Sequence, residues 1–161
     1  LAKARKLNPR QLAGDVLARL DYVVGAVHTA FQLSERRQTD RLLRALDHKC
    51  LTTLAHPRGR LLNERPSMVF DLAAVLERAR ARGAFLELNC QPARLDLPDV
   101  DCALAREAGV RIAVGSDAHS EDGFAVLESG LLEARRGGLE ARDIVNTLPL
   151  AKLRAAIAAS R

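Results

Sequence analysis

Short apolar runs alternate with longer amphipathic segments along the chain, and this alternation predicts its elements. Apolar runs of five or six residues, bounded by turn residues and rich in branched side chains, are typical of buried strands. They predict strands at Tyr22–Val27, Cys50–Ala55, Ala84–Leu88 and Val110–Val114. The other segments carry apolar residues at helical spacing. They predict helices at Leu7–Leu20, Glu35–Lys49, Met68–Arg82, Asp99–Ala108, Asp122–Arg136, Glu140–Leu148 and Leu150–Ser160.

Residues at the ends of several segments support these helices. Ser67 is a plausible N-cap for the third helix, and Gly83 is suited to follow its last turn. Gly109 closes the next helix, and Pro149 is well placed to open the last one. Local sequence signals therefore define where most of the predicted helices begin and end.

Strands that alternate with helices predict an α/β fold, in which crossover helices connect parallel strands. Both a doubly wound sheet and part of a (β/α) barrel fit the pattern, and in both the functional site lies at the carboxyl ends of the strands. All four predicted strands end in polar residues of ligand type, which favours a barrel, where these ends form one rim.

The predicted barrel is partial. A complete barrel needs about 200–250 residues, whereas this chain of 161 residues has four predicted strands. The chain begins with Leu1, and its single methionine is Met68. We therefore expect residues 1–161 to be one domain that lacks about half a barrel on its N-terminal side, whether by nature, by a gene-model error or by choice of fragment.

The composition is typical of a globular protein of the cytoplasm. Hydrophobic residues make up 48% and charged residues 28% of the chain, and no apolar run approaches the length of a membrane span. Three cysteines without a CxxC motif argue against a disulfide scaffold and for a reducing compartment. The net charge of +5 favours an anionic partner, such as a phosphate or a nucleic acid. An aromatic content of 3% argues against a stacking platform for single strands.

Three of the four histidines directly follow predicted strands, and they are the main chemical signal. His28, His56 and His119 stand at these ends, and Asp117 precedes His119 by two residues, so that both side chains point the same way from an extended tip. Imidazole and carboxylate groups that converge are suited to Zn²⁺ or another divalent transition metal. His48, at the end of a charged helix, is interpreted as structural or solvated.

Other polar residues near the strand ends are candidates for substrate binding. Arg58, Arg60 and Arg94 lie on loops that follow strands, and each could hold a phosphate with two hydrogen bonds. Asn89 ends the third strand and is a better candidate than Glu87, which lies on the same face but further from the tip. The chain contains no P-loop, GxSxG motif or nucleophile–base pair, so no catalytic residue is predicted beyond the metal ligands.

Several longer motifs resemble the PHP (polymerase and histidinol phosphatase) domain, in particular the one fused to the C-terminus of bacterial and archaeal family X DNA polymerases. The resemblance runs from about Asp21 to Pro149. Its most specific motifs are LAHPRGRLLNERP, LELNCQPARLDLP and GSDAHS, which are found at Leu54–Pro66, Leu86–Pro98 and Gly115–Ser120.

The resemblance implies a distorted (β/α)₇ barrel with up to three metal ions, commonly Mn²⁺ or Zn²⁺, and hydrolysis of phosphoesters. In the polymerase-fused members this activity is that of a 3′–5′ exonuclease and 3′-phosphatase. His28, His56, Asp117 and His119 fall on ligand positions, and the loop arginines match positions that contact phosphate. The family's opening His-x-His motif and a bridging Glu would precede the first matched strand, and this chain has no counterpart for them.

The resemblance leaves three alternatives for function. The chain is part of a phosphoesterase acting on DNA 3′ ends, part of a small-molecule phosphatase of the histidinol-phosphate type, or a non-catalytic remnant. In each case a preceding polymerase or PHP segment, or a second copy of the chain, is an expected partner. We expect weak or no hydrolysis by the chain alone, because it holds only part of the ligand shell.

Overall fold

A parallel four-stranded sheet lies at the centre of the fold. The computed structural model describes residues 14–161, and the strands stand in the order β1-β2-β3-β4. Each strand pairs in parallel with its neighbour, so that consecutive strands are joined by crossovers. The strands are β1 (Val24–Ala26), β2 (Thr53–Ala55), β3 (Phe85–Asn89) and β4 (Ile112–Gly115). The predicted α/β fold with parallel strands is confirmed, and the sheet is consistent with a partial barrel.

Helices lie before, between and after the strands in the predicted order. They are α1 (Gly14–Ala18), α2 (Glu35–Leu46), α3 (Leu72–Arg82), α4 (Asp99–Glu107), α5 (Leu127–Arg136) and α6 (Leu150–Ala159). The part of the first predicted helix before Gly14 lies outside the described residues. None of the helices in residues 14–161 is long and apolar enough to cross a membrane.

Helix α3 begins four residues later than predicted. Ser67 is not its N-cap; the Asp71 side chain accepts a hydrogen bond from the Ala74 N–H at 3.0 Å and caps the helix. Met68 and Phe70 are buried in the core as part of an extended segment before the helix. Their burial decides the start of the helix, because a helical turn at this point would move both side chains. Gly83 ends α3 in the left-handed conformation, as predicted.

Of two further helix predictions, the one at Asp122–Arg136 is confirmed only in its second part, and the one at Glu140–Leu148 was wrong. Residues Glu121–Val126 form a 3₁₀ helix, and only Leu127–Arg136 is α-helical. Instead of a helix at Glu140–Leu148, two short 3₁₀ turns flank an extended Ile144, which makes a parallel bridge to Ile112 of β4. Ile144 is buried beside the sheet, and this burial outweighs the local preference of the segment for a helix.

The two faces of the sheet differ in polarity, and this difference defines where a site can form. Leu54, Leu86 and Ile112 lie side by side in register on one face and are buried in the helix-covered core. The opposite face carries Thr53 and Glu87 as well as the buried Phe85, and the small Ala113 of β4 lies beside Glu87. The polar face leads directly to the carboxyl ends of the strands.

Candidate metal and phosphate site

Two of the predicted ligands meet at the carboxyl ends of β1 and β2. His28 and His56 follow these neighbouring strands, and their rings lie edge to face with centroids 5.3 Å apart. The parallel register pairs Ala26 with Ala55, so the strands deliver both histidines to the same end of the sheet. This pair is the part of the predicted constellation that the structure brings into contact.

The His56 imidazole is buried in a form that can bind a metal. The residue is 5% exposed, and its Nδ1 atom has no hydrogen-bond partner in the described part of the chain. Burial, followed by the positive charge of Arg94 and the neighbouring His28, lowers the pKa of His56 to about 4. The ring is therefore neutral near pH 7, which is the state that donates a lone pair to a metal.

Backbone strain coincides with the candidate site. His56 has a φ of 31° and Asp117 a φ of 48°, both in the left-handed region that residues with a Cβ rarely adopt. Leu95, on the loop after β3, has a φ of 42°. Such conformations cost on the order of 1–3 kcal/mol each and often occur at functional sites.

Glu87 is part of the site, although sequence reasoning preferred Asn89. Its Oε2 atom accepts the His56 N–H at 2.8 Å, and burial raises the pKa of Glu87 to about 7. Asn89 is fully buried, and its Oδ1 atom accepts the Gln91 N–H at 3.0 Å. The alternation of Leu86, Glu87 and Leu88 was the signal for Glu87, since it places a carboxylate on the polar face of an otherwise apolar strand.

Asp117 and His119 lie on the loop after β4. His119 Nδ1 is 2.7 Å from the Asp117 carbonyl oxygen, and Asp117 Oδ2 is 3.9 Å from Arg94 Nε. Asp117 is close enough to influence the pKa of His56. Within residues 14–161, however, no three His, Cys, Asp or Glu side chains converge as a metal-binding group. The assignment of Asp117 and His119 as ligands stays a prediction.

The residues present fit part of a divalent-metal site. A buried imidazole nitrogen without a partner, next to a second imidazole, matches the nitrogen ligands that Zn²⁺ and Mn²⁺ accept. A stable site needs three or four protein ligands. The His28–His56 pair alone has fewer ligands than such a site needs, and metal binding by this pair stays a prediction.

The three candidate arginines differ in their contacts. Arg58 pairs with Asp101 through two hydrogen bonds of 2.5 and 3.1 Å and lies over the Phe70 ring. Arg60 donates to the carbonyl oxygens of Arg94 and Leu95. The guanidinium groups of Arg58 and Arg60 are thus engaged within the protein, and their role in binding phosphate stays a prediction. The Arg94 side chain points toward the Asp117 carboxylate at 3.9 Å.

Comparisons with known proteins point to enzymes that act on phosphoesters. The chain is 36% identical over 136 residues to the DNA polymerase/3′-5′ exonuclease PolX of Bacillus subtilis strain 168, a match that covers 84% of this chain and 24% of the polymerase. It is 32% identical over 113 residues to a protein named probable phosphatase from Caldanaerobacter subterraneus subsp. tengcongensis, covering 65% of this chain and 42% of that protein.

A third relative, named probable phosphatase from Thermoanaerobacter sp. strain X514, is 28% identical over 141 residues, which are 82% of this chain and 55% of that protein. The chain thus spans between about a quarter and about half the length of these relatives. No protein-family model matches the chain. The relatives are consistent with a PHP-type domain.

Proposed function

We propose that this chain is part of a PHP-type phosphoesterase domain that hydrolyses phosphate esters with divalent metal ions. The observation that carries the proposal is the His28–His56 pair, in which a neutral, buried imidazole nitrogen has no partner in the described residues. Relatives named as an exonuclease and as phosphatases support this assignment, because both activities cleave phosphoester bonds.

Each site residue has a distinct proposed role. His28, His56, Asp117 and His119 bind Mn²⁺ or Zn²⁺, and Glu87 holds the His56 backbone through its N–H. When bound, the metal supplies Lewis acidity and a nucleophilic hydroxide near neutral pH. Arg94 binds a phosphoryl oxygen, since its guanidinium already lies beside a carboxylate that a phosphate could replace as partner.

The proposed substrate is a DNA 3′ end, cleaved by a 3′–5′ exonuclease or 3′-phosphatase reaction. The match to the polymerase–exonuclease covers most of this chain, which supports this substrate. A small phosphorylated molecule is the second candidate, favoured by the relatives named as phosphatases. A hydrolysis assay that compares a 3′-phosphorylated oligonucleotide with histidinol phosphate separates the two.

The metal site is tested with histidine variants. We expect His56→Ala and His28→Ala each to lower the affinity for Zn²⁺ at least tenfold, as measured by competition with a chromophoric chelator. His48→Ala is the matched control, because His48 is exposed on the helix side and its Nδ1 accepts the Cys50 N–H. Elemental mass spectrometry of the wild type measures how many metal ions each chain holds.

Two results would count against the proposal. Wild-type affinity for Zn²⁺ in His56→Ala would exclude His56 as a ligand. Absence of Zn²⁺ and Mn²⁺ binding by the wild type would favour a non-catalytic remnant. Rapid metal-dependent hydrolysis by the 161-residue chain would instead contradict the expectation of weak activity from a partial shell.

A further inference from the structure

Asp96 is a fully buried carboxylate that organises the loop after β2. Its Oδ1 atom accepts the Arg58 N–H at 3.1 Å, and the backbone N–H groups of Gly59 and Arg60 lie close enough to favour its charged form. Three successive N–H groups thus lie near one carboxylate, and the first of them is hydrogen-bonded to it. The same loop begins at His56, whose carbonyl oxygen accepts the Gly59 N–H at 2.9 Å and closes a tight turn.

Arg60 makes the reciprocal connection. Its Nε atom donates to the Arg94 carbonyl oxygen at 2.6 Å, and its Nη2 atom donates to the Leu95 carbonyl oxygen. Glu133 lies 3.9 Å from the Arg60 guanidinium. Asp96, on the loop after β3, therefore bonds the loop after β2 through its carboxylate. Arg60, on the loop after β2, bonds the loop after β3 through its guanidinium.

The backbone of Asp96 fixes this second loop to the end of β3. The Asn89 N–H donates to the Asp96 carbonyl oxygen at 2.6 Å, and the Asp96 N–H donates to the Asn89 carbonyl oxygen at 3.2 Å. The two loops are thus tied to each other and to the sheet. One of them carries His56, and the other carries Arg94.

We propose that Arg60 and Asp96 form a lock that positions His56 and Arg94 relative to each other. The functional value of this lock rests on the proposed function, in which His56 binds metal and Arg94 binds phosphate. Arg60 and Asp96 are accordingly positioning residues, and Arg60 acts through the loop that carries Arg94.

The buried Asp96 carboxylate and the strained loops are destabilising, which argues that the lock has a functional role. Asp96 Oδ2 is buried without a hydrogen-bond partner in the described residues, and an unsatisfied buried polar atom is destabilising. The loop segments held by the lock also include the left-handed His56 and Leu95. Stability alone would favour a neutral or apolar side chain at this place.

The lock is tested with Asp96→Asn and Arg60→Gln, which both remove the charge; Asp96→Asn also keeps the side-chain size. Arg60→Lys keeps the charge and some of the donors, so it should restore part of the wild-type behaviour. Arg82→Gln is the matched control: Arg82 also donates to two backbone carbonyl oxygens, those of Leu46 and Ser160, but it lies in the last turn of α3, away from the strand ends.

Three measurements on the purified chain distinguish an effect of the lock on the protein from an effect on metal binding. In the presence of a chelator, amide hydrogen exchange at residues 58–60 should become at least tenfold faster in both lock variants. The ring resonances of His56 should shift in the same samples, because its contact with the His28 ring changes, while those of His48 stay in place. The affinity for Zn²⁺ should fall 10- to 100-fold, and Arg82→Gln should leave all three unchanged.

Each outcome decides the proposal. Unchanged hydrogen exchange in both variants would show that no lock exists. Faster exchange with unchanged His56 resonances would show that the lock is structural and does not position His56. If the wild type binds no Zn²⁺, the proposed function fails, and the chelator experiments still decide whether Arg60 and Asp96 position His56.

Discussion

Glu87 and His56 are in contact at the end of the sheet, although burial favours the neutral form of both. Burial raises the pKa of Glu87 to about 7 and lowers that of His56 to about 4. Between these values both side chains are largely uncharged, which avoids an isolated buried charge. The hydrogen bond from the His56 N–H to Glu87 Oε2 needs only an acceptor and persists in either state of the carboxyl group.

At the scale of single residues, we predict that the Glu87→Gln variant gains stability relative to the wild type as the pH rises. Folded Glu87 binds its proton up to about pH 7, whereas the unfolded side chain releases it near 4.5, so the wild type loses stability across this window. Glutamine does not titrate. The difference in free energy of unfolding between variant and wild type should therefore increase by about 3 kcal/mol between pH 4 and pH 8.

The measurement is urea unfolding in the presence of a chelator at several pH values. Glu128→Gln, at an exposed position of α5, controls for the loss of one carboxylate. A difference that stays constant or shrinks between pH 4 and pH 8 would contradict the prediction.

At the scale of elements, α3 shows how tertiary burial and a local cap combine. The amphipathic pattern extends back to Met68, but Met68 and Phe70 are 1% and 4% exposed in an extended segment that packs into the core. The helix therefore begins only beyond these two core residues in the chain. Asp71 then supplies the cap, with its side chain on the Ala74 N–H.

We predict that Asp71→Ala lowers the free energy of unfolding by about 1 kcal/mol, because it removes an N-cap acceptor. Asp71→Asn should cost much less, since its side-chain oxygen can accept the same N–H. Ser67→Ala is the second control, and the prediction fails if it destabilises the chain more than Asp71→Ala does. Denaturant unfolding followed by circular dichroism measures all three variants.

At the scale of the whole molecule, the two edges of the sheet differ. The edge at β4 is covered: Ile112 bridges to Ile144, and the Asn146 side chain bonds both the N–H and the carbonyl group of Val114. In residues 14–161, β1 has a strand partner only on its β2 side, and Val24 is 55% exposed. An open, apolar edge favours pairing with another strand.

We therefore predict that the purified 161-residue chain self-associates through β1 and that Val24→Lys reduces this association, because a charge on an edge strand opposes pairing. Light scattering after size-exclusion chromatography, over a range of protein concentrations, measures the mass. Val69→Lys is the matched control, since Val69 is equally exposed but lies outside the sheet. An equal loss of association in both variants, or none in Val24→Lys, would contradict a role for the β1 edge.

Local periodicity along the chain was enough to predict a large part of the fold. Strand and helix order, the parallel sheet, and the placement of His28 and His56 at strand ends follow from short apolar runs and their spacing. Parallel strands bring their carboxyl ends to one edge. The meeting of these two histidines was therefore predictable without knowledge of any long-range contact.

Which polar side chains face the site and which hold the protein together depends on long-range contacts. Arg58 and Arg60 resemble phosphate ligands in sequence, but their guanidinium groups bond Asp101 and the loop at Arg94–Leu95, 34 to 43 residues away. Asp96 gave no local signal, because its side chain bonds the Arg58 N–H on another loop. Contacts between residues so distant in sequence are set by how the strands align, which local patterns do not encode.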